Sequence, residues 1–467
     1  MYWANFLHIY QPPTQKPFWI HKIANESYRP IFKQLKEFPN AKLTLNVNGI
    51  LLEHFDKYGE DDILLSIKEL LANGQLELTG SAKYHPLLPF LPEKEIVRQV
   101  KLNEETHRKY FGDLYKPKGF FPPEMGFSKD VAKIIKKLGY EWVIVDELSF
   151  PKEKWPVDYS KIYTVEGLGD FKIFFRERRM SWIILSGQVG TGNLLVQGLG
   201  DRLNRQEYLL TAMDGETFGH HRPGLDHLLF EIYKSQDLQT ILISDLLNNF
   251  SDTEAVDPTP STWALMAKDL EENKPFSRWK DENNAIHKMQ WELTDLAVDV
   301  IEKTPENSPG YEAARIKLDG ALHSDQYWWA SAKPWWSIEM IERGAKELQD
   351  SILTAPNATS EAKEKAEKLY QKIIFTAFDW QREGVVDALS HSEDEEIRQR
   401  TDTGVPQLPK KEVNKMIVNL QKEMTLLVER QEFERAAQLR NRIAELKQYS
   451  ERVDAPQFST EGEQEWQ

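Results

Sequence analysis

A chain of 467 residues with 74 acidic against 59 basic side chains carries a formal charge of −15, which disfavours nucleic acid and anionic membrane surfaces as partners. It contains no cysteine, so disulfides, thiolate nucleophiles and cysteine-held zinc or iron–sulfur sites are excluded. The length predicts two or three domains, and 14 Trp, 16 Tyr and 22 Phe offer both core material and flat ring faces that suit sugar rings and bases.

The opening "MYWANFLHIYQPP" lacks the basic start and unbroken apolar centre of a signal peptide, being interrupted by His8 and Gln11. No stretch approaches the ~18 apolar residues of a membrane span, and the cytoplasm is the expected compartment. "WANFLHI" and "KLTLNVNG" read as strands, and "ILLEHFDKYGEDDILLSIKELLANG" has helical spacing. "QLELTGS" is the next predicted strand, followed by a helix from Pro92 to about Tyr110 and the segment "GFFPPEMG". Ser128 is placed to cap a helix over "KDVAKIIKKL", Gly139 to end it, and "YEWVIVDE" reads as a buried strand. Alternation of this kind predicts a parallel sheet or barrel. His8, Glu77, Glu124, Asp146 and Asp214 all fall where predicted strands end, which is where β/α barrels place their chemistry.

From about Asn283 long helical runs take over: "IHKMQWELTDLAVDVIEK", "YEAARIKLDGALHSDQYWWA", "SIEMIERGAKELQDSI" and "SEAKEKAEKLYQKIIFTAFDWQREG". The predicted division is a catalytic α/β unit at 1–290, a helical domain at 291–390, a linker at 391–411, a helical hairpin at 412–448 and a polar tail at 449–467.

Two stretches concentrate carboxylate chemistry. In "FFPPEMGF" two prolines stiffen the approach to Glu124, a candidate nucleophile that reads equally as a first-turn charge of the next helix. In "TAMDGETFGHHRPG" Asp214 and Glu216 alternate, so in an extended strand they share a face, and Gly215 leaves room for a ligand. Asp, Glu and His also suit a metal. The chain, however, has no His-x-His or His-x-x-x-His pair, and the adjacent His220 and His221 do not easily turn to one ion.

Five segments taken together resemble glycoside hydrolase family 57, the retaining α-glucan-active amylases and glucanotransferases. "LHIYQPP" resembles its first motif, His-x-His-Gln-Pro, with Tyr10 where the second histidine stands. "GQLELTGSAKYHPLLPFLP", "GFFPPEMGF", "AMDGETFGHH" and "LHSDQYWWAS" resemble the other four in order, and "STWALMAKDLEENKPFSRWKDENNAIHKMQW" also resembles the family. The resemblance implies an α/β fold, a (β/α)7 barrel followed by a helical domain, and double displacement with net retention, without metal or cofactor. It places Glu124 as nucleophile and Asp214 as general acid/base. His8, Gln11, Glu77, Glu216, His221, Trp263, Asp325 and Tyr327 are the expected sugar contacts. The chemistry adds two demands: Asp214 must be raised in pKa by burial or by a neighbour such as Glu216, and the two carboxyl groups should stand about 5–5.5 Å apart. The expected substrate is an α-1,4-linked glucan or maltooligosaccharide. Hydrolysis, transglycosylation and branching share the same intermediate and differ in the acceptor. The alternatives are a metal-dependent carbohydrate deacetylase or mannosidase on a similar barrel, and a non-catalytic glucan-binding scaffold.

Residues 420–447, "LQKEMTLLVERQEFERAAQLRNRIAELK", repeat apolar positions at helical spacing around a break near Arg430–Gln431. "FERAAQLRNRIAELK" resembles the UVR-type hairpin of the bacterial excision-repair helicase subunit. That likeness implies docking, with Phe433, Ala436, Ala437 and Leu439 as the packed stripe, and self-association or a protein partner for 412–448.

Overall fold

A computed structural model describes residues 1–391 and 409–454; the expected linker from 392 to 408 and the tail from 455 onward lie outside the described residues. The strands are β1 (Tyr2–Ile9), β2 (Leu43–Val47), β3 (Leu76–Leu78), β4 (Gly119–Phe120), β5 (Trp142–Asp146), β6 (Ile162–Val165), β7 (Lys172–Arg176), β8 (Tyr208–Asp214), β9 (Gln239–Thr240) and β10 (Thr253–Val256). One sheet runs β3-β2-β1-β8, with β9 also on β1, and the other runs β10-β6-β7-β5-β4. All pairings are parallel except β6 with β7.

The sheets meet at two seams. Gly80, just past β3, donates to the Gly119 carbonyl at 2.8 Å and accepts from Phe121 at 2.9 Å. At the other seam the Glu177 N–H, just past β7, donates to the Leu210 carbonyl of β8 at 2.7 Å. The hydrogen-bond path thus passes through seven strands, β3-β2-β1-β8-β7-β5-β4, and returns to β3.

Strand alternation explains how this arrangement makes a site. Along β1, Trp3, Leu7 and Ile9 enter one apolar cluster with the outer helices, whereas Ala4 and Phe6 enter another with Phe120, Phe121, Tyr208 and Leu210. His8 continues the second series. On β8, Leu210 and Ala212 belong to that series, and Asp214 ends it.

Several sequence expectations need refinement. The helical stretch after β2 is two helices, Gly49–Tyr58 and Asp61–Ala72, because Gly59 takes a left-handed φ of 76° and stops the first. The helix expected from Pro92 runs Glu93–Phe111. Ser128 caps Lys129–Lys137 as expected, its hydroxyl accepting from the Val131 N–H at 3.3 Å. Strands β6 and β7 and the helices Arg178–Leu185 and Gly192–Leu199 come from a stretch to which the sequence reading assigned no element.

Helices Ala285–Glu302, Tyr311–Ala321, Ile338–Thr354 and Ser360–Arg382 share a third core around Leu293, Leu318, Ile341, Leu348 and Ile373. Lys410–Glu429 and Phe433–Asp454 form the hairpin, turning at Gln431, whose φ is 62°. Within it Ala436 and Leu439 pack on Leu427 as expected, but Phe433 is 63% exposed and takes no part in the stripe. Among the described residues no helix is long and apolar enough to cross a membrane.

Candidate active site

The register pairs His8 of β1 with Asn46 of β2 and with Asp214 of β8, so three strand ends deliver polar side chains at one level. The Asn46 amide donates to Thr79 Oγ1 at 3.1 Å, which leaves its oxygen to accept from His8 Nδ1 at 2.8 Å. His8 Nε2 is then the bare acceptor, and burial holds the ring's pKa well below 6.5, hence neutral. Rings crowd around it: His8 stacks on Phe121 at 4.6 Å and on His85 at 5.0 Å, and Tyr10 stacks on His85 at 4.2 Å.

Glu124 is not a first-turn charge of a helix. It lies in the turn Pro123–Met125 with φ 60°, and Met125 follows at 48°. Two consecutive non-glycine residues in the left-handed region cost about 1–3 kcal/mol each and persist only when the surroundings hold them. Here residues 261–263 do so: Trp263 N–H donates to the Glu124 carbonyl at 3.1 Å, and Phe127 pairs with Ser261. The Glu124 carboxylate accepts from Trp263 Nε1 at 2.8 Å and from Ser324 Oγ at 3.2 Å. Ser324 in turn stands 3.1 Å from His85 Nδ1, and the other ring nitrogen, His85 Nε2, is buried with no partner among the described residues.

The helical part reaches this place through residues 323–325. Ser324 N–H bonds the His85 carbonyl at 3.0 Å, and Asp325 accepts from the Tyr10 hydroxyl at 2.7 Å and lies 3.0 Å from His323 Nδ1. His323 Nε2 meets Glu347 at 3.1 Å. Burial alone would push His323 down, but its two carboxylate partners win and lift it to about 10. It is therefore a fixed cation at neutral pH.

Burial raises Glu124 to about 8, assisted by the charges of Asp325 and Asp214, against the two hydrogen bonds it accepts. Asp214 rises to about 6 through burial, held back by the Arg176 guanidinium at the end of β7. Its half-buried carboxylate takes no hydrogen bond from any described residue. Glu216 is raised to about 8 by burial and by Asp214, and accepts from the Tyr28 hydroxyl and from Gln11 Nε2 at 3.2 Å. Among the described residues no three His, Asp or Glu side chains converge in a way that would hold a metal ion.

Of the expected residues, His8, Gln11, Glu124, Asp214, Glu216, Trp263 and Asp325 are thus brought together through contact, register or mutual charge. Three are not. Glu77 pairs with Thr44, which pairs with Phe6, one inward layer below His8. Its carboxylate is occupied by Ser244 and, at 3.1 Å, by Thr44 Oγ1. Tyr327 is 1% exposed, lies flat on Trp291 at 4.4 Å and bonds Thr294 at 2.6 Å; it has no free ring face and is core. His221 lines a cavity of about 430 Å³ between its loop and the hairpin, with Arg222, Met416, Asn441 and Arg442.

Two local expectations also change. Asp214 and Glu216 do not alternate along a strand, because Gly215–Thr217 is already a 3-10 turn. Nor does Gly215 make room for a ligand, since a Cβ there would meet Ile9 Cγ2 at 2.5 Å. Sequence reasoning missed Tyr28, Asn46, His85, Arg176, His323 and Ser324. His85, His323 and Ser324 lay inside quoted motif segments, whereas nothing local to Arg176 marked it.

Residues 4–257 match the family model described as glycosyl hydrolase family 57, and residues 414–449 match the UvrB/uvrC motif. An α-amylase from Pyrococcus horikoshii is 26% identical over 370 residues, 69% of this chain and 55% of that protein. A 4-α-glucanotransferase from Thermococcus litoralis is 28% identical over 185 residues, 38% of this chain and 27% of that one. The chain therefore spans about half, or less, of the length of these relatives. The crystal structure of a branching enzyme from Thermococcus kodakaraensis superposes with a TM-score of 0.61 at 15% identity, covering 81% of this chain and 96% of that one, a likeness of fold.

Proposed function

This chain belongs to glycosyl hydrolase family 57, and on that footing we propose that it is a retaining α-glucan hydrolase or glucanotransferase working by double displacement. The observation that carries the reading is that Glu124 and Asp214 are linked around His8: Trp263, which donates to Glu124, stands edge-on to His8 at 5.7 Å, His8 is the register partner of Asp214, and the charge of Asp214 reaches Glu124. Glu124 sits on a strained turn tied down by Trp263 and Ser324, and Asp214, which takes no hydrogen bond from any described residue, ends β8 level with His8. We assign residues 1–290 to the catalytic unit and residues 291–390 to the helical unit that completes the site.

In this reading Glu124 attacks the anomeric carbon while Asp214 protonates the departing oxygen, then deprotonates the acceptor. Burial raises Glu124 further than Asp214, which Arg176 holds back, so before a sugar binds the proton favours Glu124. Positive charge developing at the anomeric carbon favours the ionised form of Glu124, and the donated hydrogen bonds of Trp263 and Ser324 stabilise that form. The approach of the glycosidic oxygen gives the proton of the site its place on Asp214. His8 Nε2, His85 Nε2 and Gln11 supply neutral partners for sugar hydroxyls, and Asp325, fixed by Tyr10 and His323, supplies a charged acceptor.

The product profile from a defined maltooligosaccharide tests the reading, with Glu124→Gln as control. Shorter sugars alone identify a hydrolase, and shorter plus longer sugars a transferase. A mechanism-based inhibitor should leave its sugar on the peptide carrying Glu124; a label on Asp214 instead reverses the two roles. Activity untouched by Glu124→Gln removes that residue, and a wild type whose activity on other sugars is lost with chelator replaces the α-glucan reading by a metal-dependent one.

A further inference from the structure

The hairpin does not stand apart from the α/β unit. Val413, Met416, Ile417, Ile443 and Leu446 are buried in the same apolar cluster as Val189, Leu194, Leu225 and Leu228. Its rim is tied polar group by polar group. Glu412 accepts from Thr191 Oγ1 at 2.7 Å and Asn193 Nδ2 at 3.1 Å, and Lys415 pairs with Glu231 at 2.7 Å.

One contact of the hairpin goes to the loop that carries the acid/base chemistry. Arg435 Nη2 donates to the carbonyls of Gly219 at 2.7 Å and His220 at 3.1 Å, while Nη1 pairs with Glu26. Glu26 also holds His220 Nδ1 at 2.5 Å. The two residues after Glu26 grip the start of the same loop: Ser27 Oγ donates to the Gly215 carbonyl at 2.9 Å, and Tyr28 to the Glu216 carboxylate. Gly219 is pressed so closely on this segment that a Cβ would lie 1.9 Å from the Glu26 carbonyl oxygen. Three chain segments therefore meet at one guanidinium that is 13% exposed. The planar fork suits that junction, because it engages two carbonyls and a carboxylate together, which a lysine ammonium does less well.

We propose that the hairpin is a positioning arm of the catalytic unit: through Arg435 it fixes residues 215–221, and with them the carboxyl groups of Asp214 and Glu216. The inference rests on the reading of Asp214 as acid/base given above. Ala436 and Leu439 of the stripe are spent on the partner helix, and Val413, Met416, Ile417, Ile443 and Leu446 on the α/β unit, whereas Phe433 stays exposed. Arg435 touches no reacting atom and is a positioning residue.

Arg435→Ala and Arg435→Lys in the full chain test this, with steady-state kinetics on a maltooligosaccharide and amide hydrogen exchange. The expected result for Arg435→Ala is a kcat lower by about tenfold to a hundredfold, the cost of misplacing a reacting group, with KM within about twofold. Exchange should rise over 211–224 and stay unchanged in the remaining strands, and Arg435→Lys should recover part of both. A folded Arg435→Ala protein with unchanged kcat and unchanged loop exchange overturns the inference. So does a fall in kcat accompanied by exchange rising throughout the α/β unit, which marks general destabilisation. A wild type inert on every α-glucan overturns the functional reading instead, and loop exchange in Arg435→Ala still decides whether the clamp exists.

Discussion

Glu124, Asp214 and Glu216 show what burial does to residues whose identity is plain in a sequence. Each is an ordinary carboxylate by composition, and each is lifted by desolvation, Glu124 and Glu216 to about 8 and Asp214 to about 6. Double displacement needs one proton and one negative charge across Glu124 and Asp214. Below about 6 both are neutral and the nucleophile is lost; above about 8 both are charged and the acid is lost. A bell-shaped kcat/KM with limbs near those values is the expected outcome, each limb belonging to the coupled group rather than to one residue. Arg176→Met should move the acid limb to higher pH, because it removes the charge that holds Asp214 down; an unmoved limb counts against that role. The same scale explains why Tyr327 and Glu77 misled. Residue type marks them as sugar contacts, but Tyr327 has Trp291 on its face and Glu77 has Ser244 and Thr44 on its oxygens. Tyr10, the departure from the family's histidine, is engaged in full: its ring lies on His85 and its hydroxyl on Asp325.

At the scale of elements, local signals were read well where the chain itself ends or starts a structure. Ser128 before Lys129–Lys137 and the buried strand Trp142–Asp146 are such cases, because caps and short apolar runs depend on neighbours in sequence. Contacts between elements were not legible. Gly119 begins β4 and lets Trp142 of β5 lie against its Cα; a Cβ would come 2.0 Å from Trp142 Cζ2. A fully buried indole has nowhere to retreat. Gly119→Ala should therefore destabilise the protein by about 1–3 kcal/mol, the usual cost of overpacking, seen as a lower denaturation midpoint. Because β4 leads into the Glu124 turn, kcat should fall as well. A variant as stable and active as wild type shows that the seam yields at no cost.

The molecule as a whole joins its α/β and helical parts through buried charge. Arg315 of helix Tyr311–Ala321 pairs with Glu95 of helix Glu93–Phe111 at 2.6 Å and 2.7 Å, and Asp319 receives both Arg315 and Arg98. Arg315 and Glu95 have side chains 4% and 3% exposed. Arg315→Met leaves Glu95 as a buried charge without its partner, and should cost about 3–5 kcal/mol of stability by chemical denaturation. Since Ser324 and Asp325 reach the site from just beyond this helix, kcat should drop too. Replacing Glu95 and Asp319 by Leu and Asn in the same chain should restore most of the stability; failure to do so assigns the loss to packing instead.

What the sequence determined by itself is the chemistry available and the order in which it is presented: the carboxylates at strand ends, the helical run after about residue 283, and the hairpin near the end. Those are properties of residue type and short-range periodicity, which survive without knowledge of the fold. Tertiary structure decided which side chains share a place. Arg176 joined Asp214 from a strand the sequence reading had not assigned, residues 323–325 arrived from the helical part, and Arg435 came from more than 200 residues beyond the loop it holds. Proximity of that kind is set by sheet register and by the packing of whole faces. Burial, which sets each charge and leaves or closes each ring face, follows from that packing and from nothing within a single stretch of chain.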